Sequence, residues 1–124
     1  MKNNLPNLAL AMLRIGASAM LLTHGIPKIE TLFADTVSFS DPLGIGAILS
    51  LVLVLIAEVI APIFIIIGYR TKIAALFPII MTTVALLMVH FNDPFAKKEK
   101  AVFFLLAFLV VFLAGPGKYS IDRR

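Results

Sequence analysis

Long apolar runs separated by short polar segments form the main pattern along this chain. The runs cover about residues 8–29, 45–67, 71–91 and 99–114. At about 1.5 Å of rise per helical residue, the first run spans roughly 30 Å, which matches the hydrocarbon thickness of a bilayer. The fourth run has about 16 residues, near the lower limit for crossing, so its ends are expected at the depth of the lipid headgroups. The pattern therefore predicts four membrane-spanning helices.

Short connections and helix-breaking residues predict how these helices follow one another. The polar turn at 68–72 is so short that the second and third helices must be antiparallel neighbours. Asp41 followed by Pro42 is typical of a helix start, so the second helix is expected to begin near Pro42. The glycines and proline at 115–117 end the fourth helix. We expect an all-α, integral membrane four-helix bundle with antiparallel spans and both termini on one side, formed by residues 1–124 as a single domain.

The composition supports a membrane protein and excludes several kinds of site. Hydrophobic residues make up 60% of the chain and charged residues 15%, whereas an ordinary soluble domain is about 45–50% apolar. The chain has no cysteine and two histidines, which excludes disulfide and thiol chemistry and argues against a metal site built by this chain alone. The net charge is +4, but the cations flank the apolar runs, as topology signals and headgroup contacts do. Membrane lipids are therefore the expected partners, and nucleic acid is not.

Basic residues between the runs predict the orientation. Six lie on the side of both termini and four on the opposite side, which places the termini in the cytoplasm. The first set is Lys2, Arg70, Lys72, Lys118, Arg123 and Arg124, and the second is Lys28, Lys97, Lys98 and Lys100. The first run carries Arg14 and lacks a small-residue cleavage pattern, so it is interpreted as a retained helix and not as a signal peptide.

Two charged residues lie inside the apolar runs, Arg14 in the first and Glu58 in the second. A charge in lipid costs roughly 2.5–3.5 kcal/mol, so each needs a partner inside the protein. Because the two helices are antiparallel, the two side chains are expected to reach similar depths and to form a buried ion pair. Such a pair either fixes the register of the helices or forms the floor of a ligand or proton pathway.

A second polar group is expected at the other end of the helices. His24 and Lys28 are four residues apart and share one helical face, His90 ends the third helix, and Glu99 opens the fourth. These four side chains are candidate ligand-binding residues. The histidines are either satisfied by Glu99 or loop carbonyls, or line a pocket that holds a quinone carbonyl, or ligate a haem between them.

The order of these residues resembles the DoxX family over nearly the whole chain. The resemblance lies in residues 13–15 (LRI), 23–28 (THGIPK), Glu58, 68–75 (GYRTKIAA), His90 and 115–122 (GPGKYSID). That family is named for a small subunit of an archaeal terminal quinol oxidase. The resemblance implies a four-helix membrane bundle and a link to quinone-dependent or redox-defence chemistry. It implies no particular reaction, and no catalytic residue is assigned.

Three functions follow as hypotheses. In the first, the chain is an accessory or quinone-interacting subunit of an oxidoreductase system in a prokaryotic cytoplasmic (inner) membrane. His24 and His90 would then donate to a quinone oxygen, with Glu58 and Arg14 setting the charge beneath it. Quinone is the cofactor candidate, and other oxidoreductase subunits must supply electron transfer because the chain holds no evident carrier. The alternative is a non-catalytic structural or lipid-binding bundle that scaffolds partner proteins. A transporter or proton channel is a third, weaker hypothesis, since no pair of broken helices or repeat halves is evident.

Overall fold

The described part of the chain folds into helices and turns. The computed structural model describes residues 5–33, 44–89 and 92–122, and no strand occurs within these ranges. Helix α1 is Leu5–Leu32. Helix α2 comprises Ala47–Leu55, a π-helical turn at Ile56–Ile60, and Ala61–Ile67. Helix α3 comprises Thr71–Val84 and a second π-helical turn, Ala85–Val89, and helix α4 is Phe95–Ala114. The all-α prediction is confirmed for these residues.

Three of the helices are long and apolar enough to cross a membrane. They are α1, α2 and residues 71–88 of α3. Helix α4 has 20 residues, but its first turns carry the charges at 97–100, which leaves an apolar stretch at 101–114. It begins four residues earlier than predicted, since Pro94 is extended and the lysines and glutamate that follow are good helix formers.

The other helix boundaries lie close to the predicted ones. Helix α1 continues through Pro27 to Leu32. Helix α2 begins at Ala47, after Gly46 at φ 104°, and not near Pro42 as predicted; Asp41 and Pro42 themselves lie outside the described residues. It ends at Ile67, and Gly68 follows with a φ of 74°, the left-handed conformation that glycine adopts most readily. The amide of Tyr69 bonds back to Phe64 O at 3.0 Å, which satisfies a carbonyl of the last turn.

The four helices pack in sequence order, and α4 closes back on α1. Small side chains occur at many of the contacts and let the helix backbones approach closely. The core consists of Ala17, Leu21, Ala61, Ile65, Ala74, Ala75, Phe104, Ala107, Phe108 and Val111. Large apolar side chains also cover the outside of the helices, as lipid-facing surfaces require.

Residues 115–122 fold back over the end where α1 begins and α2 meets α3. The amides of Ile121 and Asp122 bond to Ile67 O at 3.2 Å and Gly68 O at 2.8 Å. The Asp122 carboxylate accepts bonds from the Arg70 and Thr71 amides at 3.0 and 2.9 Å. Helix α3 has no side-chain cap of its own at Arg70, so Asp122 supplies the cap from the far end of the sequence.

Candidate functional site

Glu58 lies in the π-helical turn of α2, in which hydrogen bonds run over one extra residue. Pro62 follows four residues later and has no N–H with which to bond the carbonyl of Glu58. Regular α-helical bonding is therefore impossible at this position, which accounts for the wider turn. Glu58 is buried, at 6% exposure, so its carboxylate needs a partner inside the protein.

Gly25 brings α1 against this turn. A Cβ at position 25 would lie 2.7 Å from the Glu58 carbonyl oxygen and 2.8 Å from both Glu58 Cβ and a methyl carbon of Val59. Any side chain here would therefore push the two helices apart. Glycine allows the close approach that brings the following turn of α1 within reach of Glu58.

Lys28 uses this approach to form an ion pair with Glu58. It lies one turn beyond Gly25, and its Nζ donates to Glu58 Oε1 at 2.6 Å. The Lys28 side chain is 32% exposed and that of Glu58 is 8% exposed. The pair is therefore buried at its carboxylate and opens to the surrounding medium at its ammonium group.

His24 lies one turn before Lys28 and meets α4. Its ring stands edge-on to Phe104, with the ring centroids 5.8 Å apart and the planes at 85°. The next residue of α1, Gly25, packs on Glu58, and Lys28, one turn beyond His24, pairs with that carboxylate. We call His24, Lys28, Glu58 and Phe104, from three helices, the His24 cluster.

The structure brings together two of the four predicted ligand-binding residues. His24 and Lys28 belong to the cluster, whereas Glu99 is exposed and lines a shallow, mostly apolar groove formed by α4 alone. Lys100 lines the same groove as Glu99. His90 lies outside the described residues.

The predicted ion pair between Arg14 and Glu58 is wrong. Arg14 is buried, at 1% exposure, and its guanidinium bonds to backbone carbonyls. Nη1 donates to Ile65 O at 2.7 Å and Ile66 O at 2.5 Å, and Nη2 donates to Tyr119 O at 2.5 Å. Glu58 pairs with Lys28 instead.

The relative depths of the two side chains explain the error. Glu58 packs on Gly25, which is eleven residues beyond Arg14 and about 16 Å further along α1. The last turn of α2 lies nearer, and its carbonyls carry partial negative charge and keep free acceptor capacity, although Ile65 O also accepts a bond from the Gly68 amide at 3.1 Å. Arg14 points toward the start of α1, as helical side chains do, and so meets these carbonyls.

Arg14 is therefore a structural link between α1, α2 and residues 115–122. Its Nε and the Oγ of Ser18, one turn away on α1, are buried and have no hydrogen-bond partner among the described residues. Buried polar atoms of this kind are commonly satisfied by water.

Helix phase would have found Phe104, which the sequence analysis does not name. Phe104 lies three residues before Ala107 and seven before Val111, and all three belong to the core, so helical spacing places Phe104 on the face of the fourth helix that meets its neighbours. Within residues 5–33, 44–89 and 92–122, no three potential metal ligands among histidine, aspartate and glutamate lie close enough to hold a metal ion.

Comparisons with known proteins agree with the resemblance in the sequence. The DoxX family model matches residues 9–91, which is more than half of the chain. The chain belongs to the DoxX family. The matched range contains Arg14, His24, Gly25, Lys28 and Glu58. It ends before α4 and residues 115–122, so Lys100, Phe104 and Asp122 lie outside it.

A curated relative covers more of this DoxX-family chain. The inner membrane protein YqjF of Escherichia coli strain K12 is 31% identical over 116 residues, which is 89% of this chain and 86% of the relative. No solved structure matches the chain significantly. Family membership and the three candidate spans together make this a multi-pass membrane protein.

Proposed function

We propose that this DoxX-family protein is a quinone-interacting accessory subunit of an oxidoreductase system, with the His24 cluster as its ligand site. The supporting observation is the Lys28–Glu58 pair, whose carboxylate is buried while its ammonium group is partly exposed. Ionisable residues held within membrane helices are frequently functional, because they are expensive to keep there. The π-helical turn that carries Glu58 is also a feature found often at functional sites.

The membrane placement in this proposal has four spans in one domain, with α4 as the short one. Contact between the two ends of the chain supports termini on one side, since the Lys118 amide bonds to Asn7 Oδ1 at 3.0 Å. Basic residues favour the cytoplasm for that side. The name of the relative YqjF supports a prokaryotic inner membrane.

The chemistry of the cluster suits an oxygen acceptor such as a quinone carbonyl. Lys28 carries three N–H donors, and the described residues use one of them, for Glu58. The remaining donors, with an N–H of His24, can bond to a ligand oxygen. Glu58 holds the ammonium group in place and compensates its charge. Electron transfer would come from a partner subunit.

Mass spectrometry of the lipid extract tests this function. Protein purified in mild detergent is expected to contain quinone in proportion to protein, and His24→Ala is expected to lose most of it. Thr23→Ala is the matched control, because Thr23 is the exposed neighbour on the same helix. A quinone content in wild-type protein no higher than that of an unrelated membrane protein would contradict the proposal.

A structural or lipid-binding bundle is the second candidate function. The observation that favours it is that both membrane-embedded cations already have partners, Arg14 on carbonyls and Lys28 on Glu58. In this case variants of His24 and Lys28 would lower thermal stability without changing the content of bound small molecules. Stability and quinone content measured on the same preparations separate the two functions.

A further inference from the structure

The outer face of α4 carries a groove that the His24 cluster does not use. Its described lining residues all belong to this helix, and Phe95, Glu99, Phe103 and Leu106 are among them. These four follow one another at intervals of four, four and three residues, which places them in one stripe along the helix. Phe95, Phe103 and Leu106 are each more than half exposed. The stripe, which we call the α4 groove, therefore opens outward and not into the bundle.

The α4 groove crosses the level at which the helix becomes apolar. Glu99 and Lys100 are the last charged residues before the apolar stretch at 101–114, and both line the groove. Charged side chains at the end of an apolar helix reach the headgroup region. Phe103 and Leu106 lie about 6 Å and about 10 Å further along the helix axis than Glu99, at the depth of the acyl chains. A lipid in the groove would meet charges with its headgroup and apolar side chains with its tail.

The headgroup would meet one negative and one positive side chain. Glu99 and Lys100 are exposed, and neither forms a salt bridge with another described residue. The carboxylate only accepts hydrogen bonds and the ammonium group only donates them. A zwitterionic headgroup, in which an ammonium group and a phosphate are joined by a short carbon linker, complements this pair. An anionic headgroup without an ammonium group would leave the Glu99 carboxylate unmatched.

The ammonium group of ethanolamine suits Glu99 better than that of choline. It carries N–H donors that can form a charge-assisted hydrogen bond to the carboxylate, whereas the nitrogen of choline is fully methylated and has none. Phe95 and Phe103 lie one turn to either side of Glu99. Their apolar rings partly shield such a bond from water, and a lower local dielectric strengthens it.

We propose that the α4 groove binds phosphatidylethanolamine selectively. Glu99 accepts a hydrogen bond from the ethanolamine ammonium group, Lys100 donates to the phosphate, and Phe103 and Leu106 contact an acyl chain. This inference requires neither a quinone nor the His24 cluster. It goes beyond the proposed function and holds for either of the two candidate functions.

A tryptophan reporter measures which lipid occupies the groove. The chain has no tryptophan, and Leu106→Trp places one at an exposed lining position. Lipids with brominated acyl chains quench the fluorescence of a tryptophan that they contact, so vesicles of mixed brominated and unbrominated lipids give relative binding constants. With identical acyl chains, phosphatidylethanolamine is expected to bind about fivefold more tightly than phosphatidylcholine or phosphatidylglycerol, equivalent to about 1 kcal/mol.

A second reporter position and two variants locate the origin of the preference. Leu113 is exposed on the same face of α4, two turns further from the charges, so Leu113→Trp is expected to report no preference. Combined with Leu106→Trp, Glu99→Gln is expected to remove the preference for phosphatidylethanolamine over phosphatidylcholine. Lys97→Gln is the matched control and is expected to retain it, because Lys97 does not line the groove.

Four results would overturn this inference. They are equal binding of phosphatidylethanolamine and phosphatidylcholine at position 106, tighter binding of phosphatidylglycerol, a preference that survives Glu99→Gln, and an equal preference at position 113. Native mass spectrometry of the unmodified chain with the same three lipids repeats the comparison without a reporter. Because the quinone content of the protein is measured separately, each of these results would leave the proposed function standing.

Discussion

Replacing Gly25 by alanine should separate α1 from the π-helical turn of α2. The added Cβ would lie 2.7 Å from the Glu58 carbonyl oxygen and 2.8 Å from two carbon atoms. Ordinary contacts begin at 3.4 Å, so the helices must move apart by about 0.7 Å at this point. Two of the three obstructing atoms belong to the backbone or to Cβ of Glu58 and cannot rotate away. Overpacking of this kind costs about 1–3 kcal/mol.

Gly16 provides a matched control on the same helix. A Cβ there meets nothing within 4 Å, so Gly16→Ala keeps the packing and is expected to stabilise α1 by up to about 1 kcal/mol through helix propensity. Thermal unfolding in detergent, followed by far-ultraviolet circular dichroism, would then move in opposite directions for the two variants. If Gly25→Ala unfolded at the same temperature as Gly16→Ala, the close contact between α1 and Glu58 would be refuted.

Three further predictions concern the polar contacts. Lys28→Met should destabilise the protein by less than the roughly 3–5 kcal/mol typical of breaking a fully buried pair, because the Lys28 side chain is about one-third exposed. The double variant Lys28→Met with Glu58→Gln should recover part of this loss of stability, as measured by thermal unfolding. Arg14→Met should remove the hydrogen bonds to the carbonyls of α2 and to Tyr119 O, and so release residues 115–122. Limited proteolysis should then cleave that segment faster than in wild type. An unchanged cleavage rate would contradict the role of Arg14 in holding the segment. Asp122→Ala should lower the free energy of unfolding by about 0.5–2 kcal/mol, because it removes the cap of α3. Asp122→Asn keeps a side-chain acceptor and should lower it less, as measured by chemical denaturation. Equal losses for the two variants would argue against capping.

Arg14 illustrates how far sequence reasoning reaches. Its position within an apolar run shows that it must be satisfied inside the protein. Glu58 is the acidic residue that lies inside another apolar run, but carbonyls at a helix end also attract a guanidinium, and no residue type in the sequence marks them. Only the depth at which α1 and α2 cross, visible in the Gly25 contact, decides between these partners.

The helices themselves follow from local information. The signals for the helices each act within a few residues: runs of apolar residues, a glycine at 68 that can adopt positive φ, and the helix stop at 115–117. The number of helices and their approximate bounds can therefore be predicted from the sequence alone. The same holds for the shared face of His24 and Lys28, which helical spacing imposes.

The tertiary structure alone decided which polar groups meet. Glu58 joins Lys28, Phe104 meets the ring of His24, and Asp122 caps a helix that starts some fifty residues earlier. These pairings depend on the rotation and depth of each helix against its neighbours, which are set by the summed packing of many small side chains. Local sequence patterns do not predict this rotation and depth, so the contacts of the site can be identified only from the packed helices.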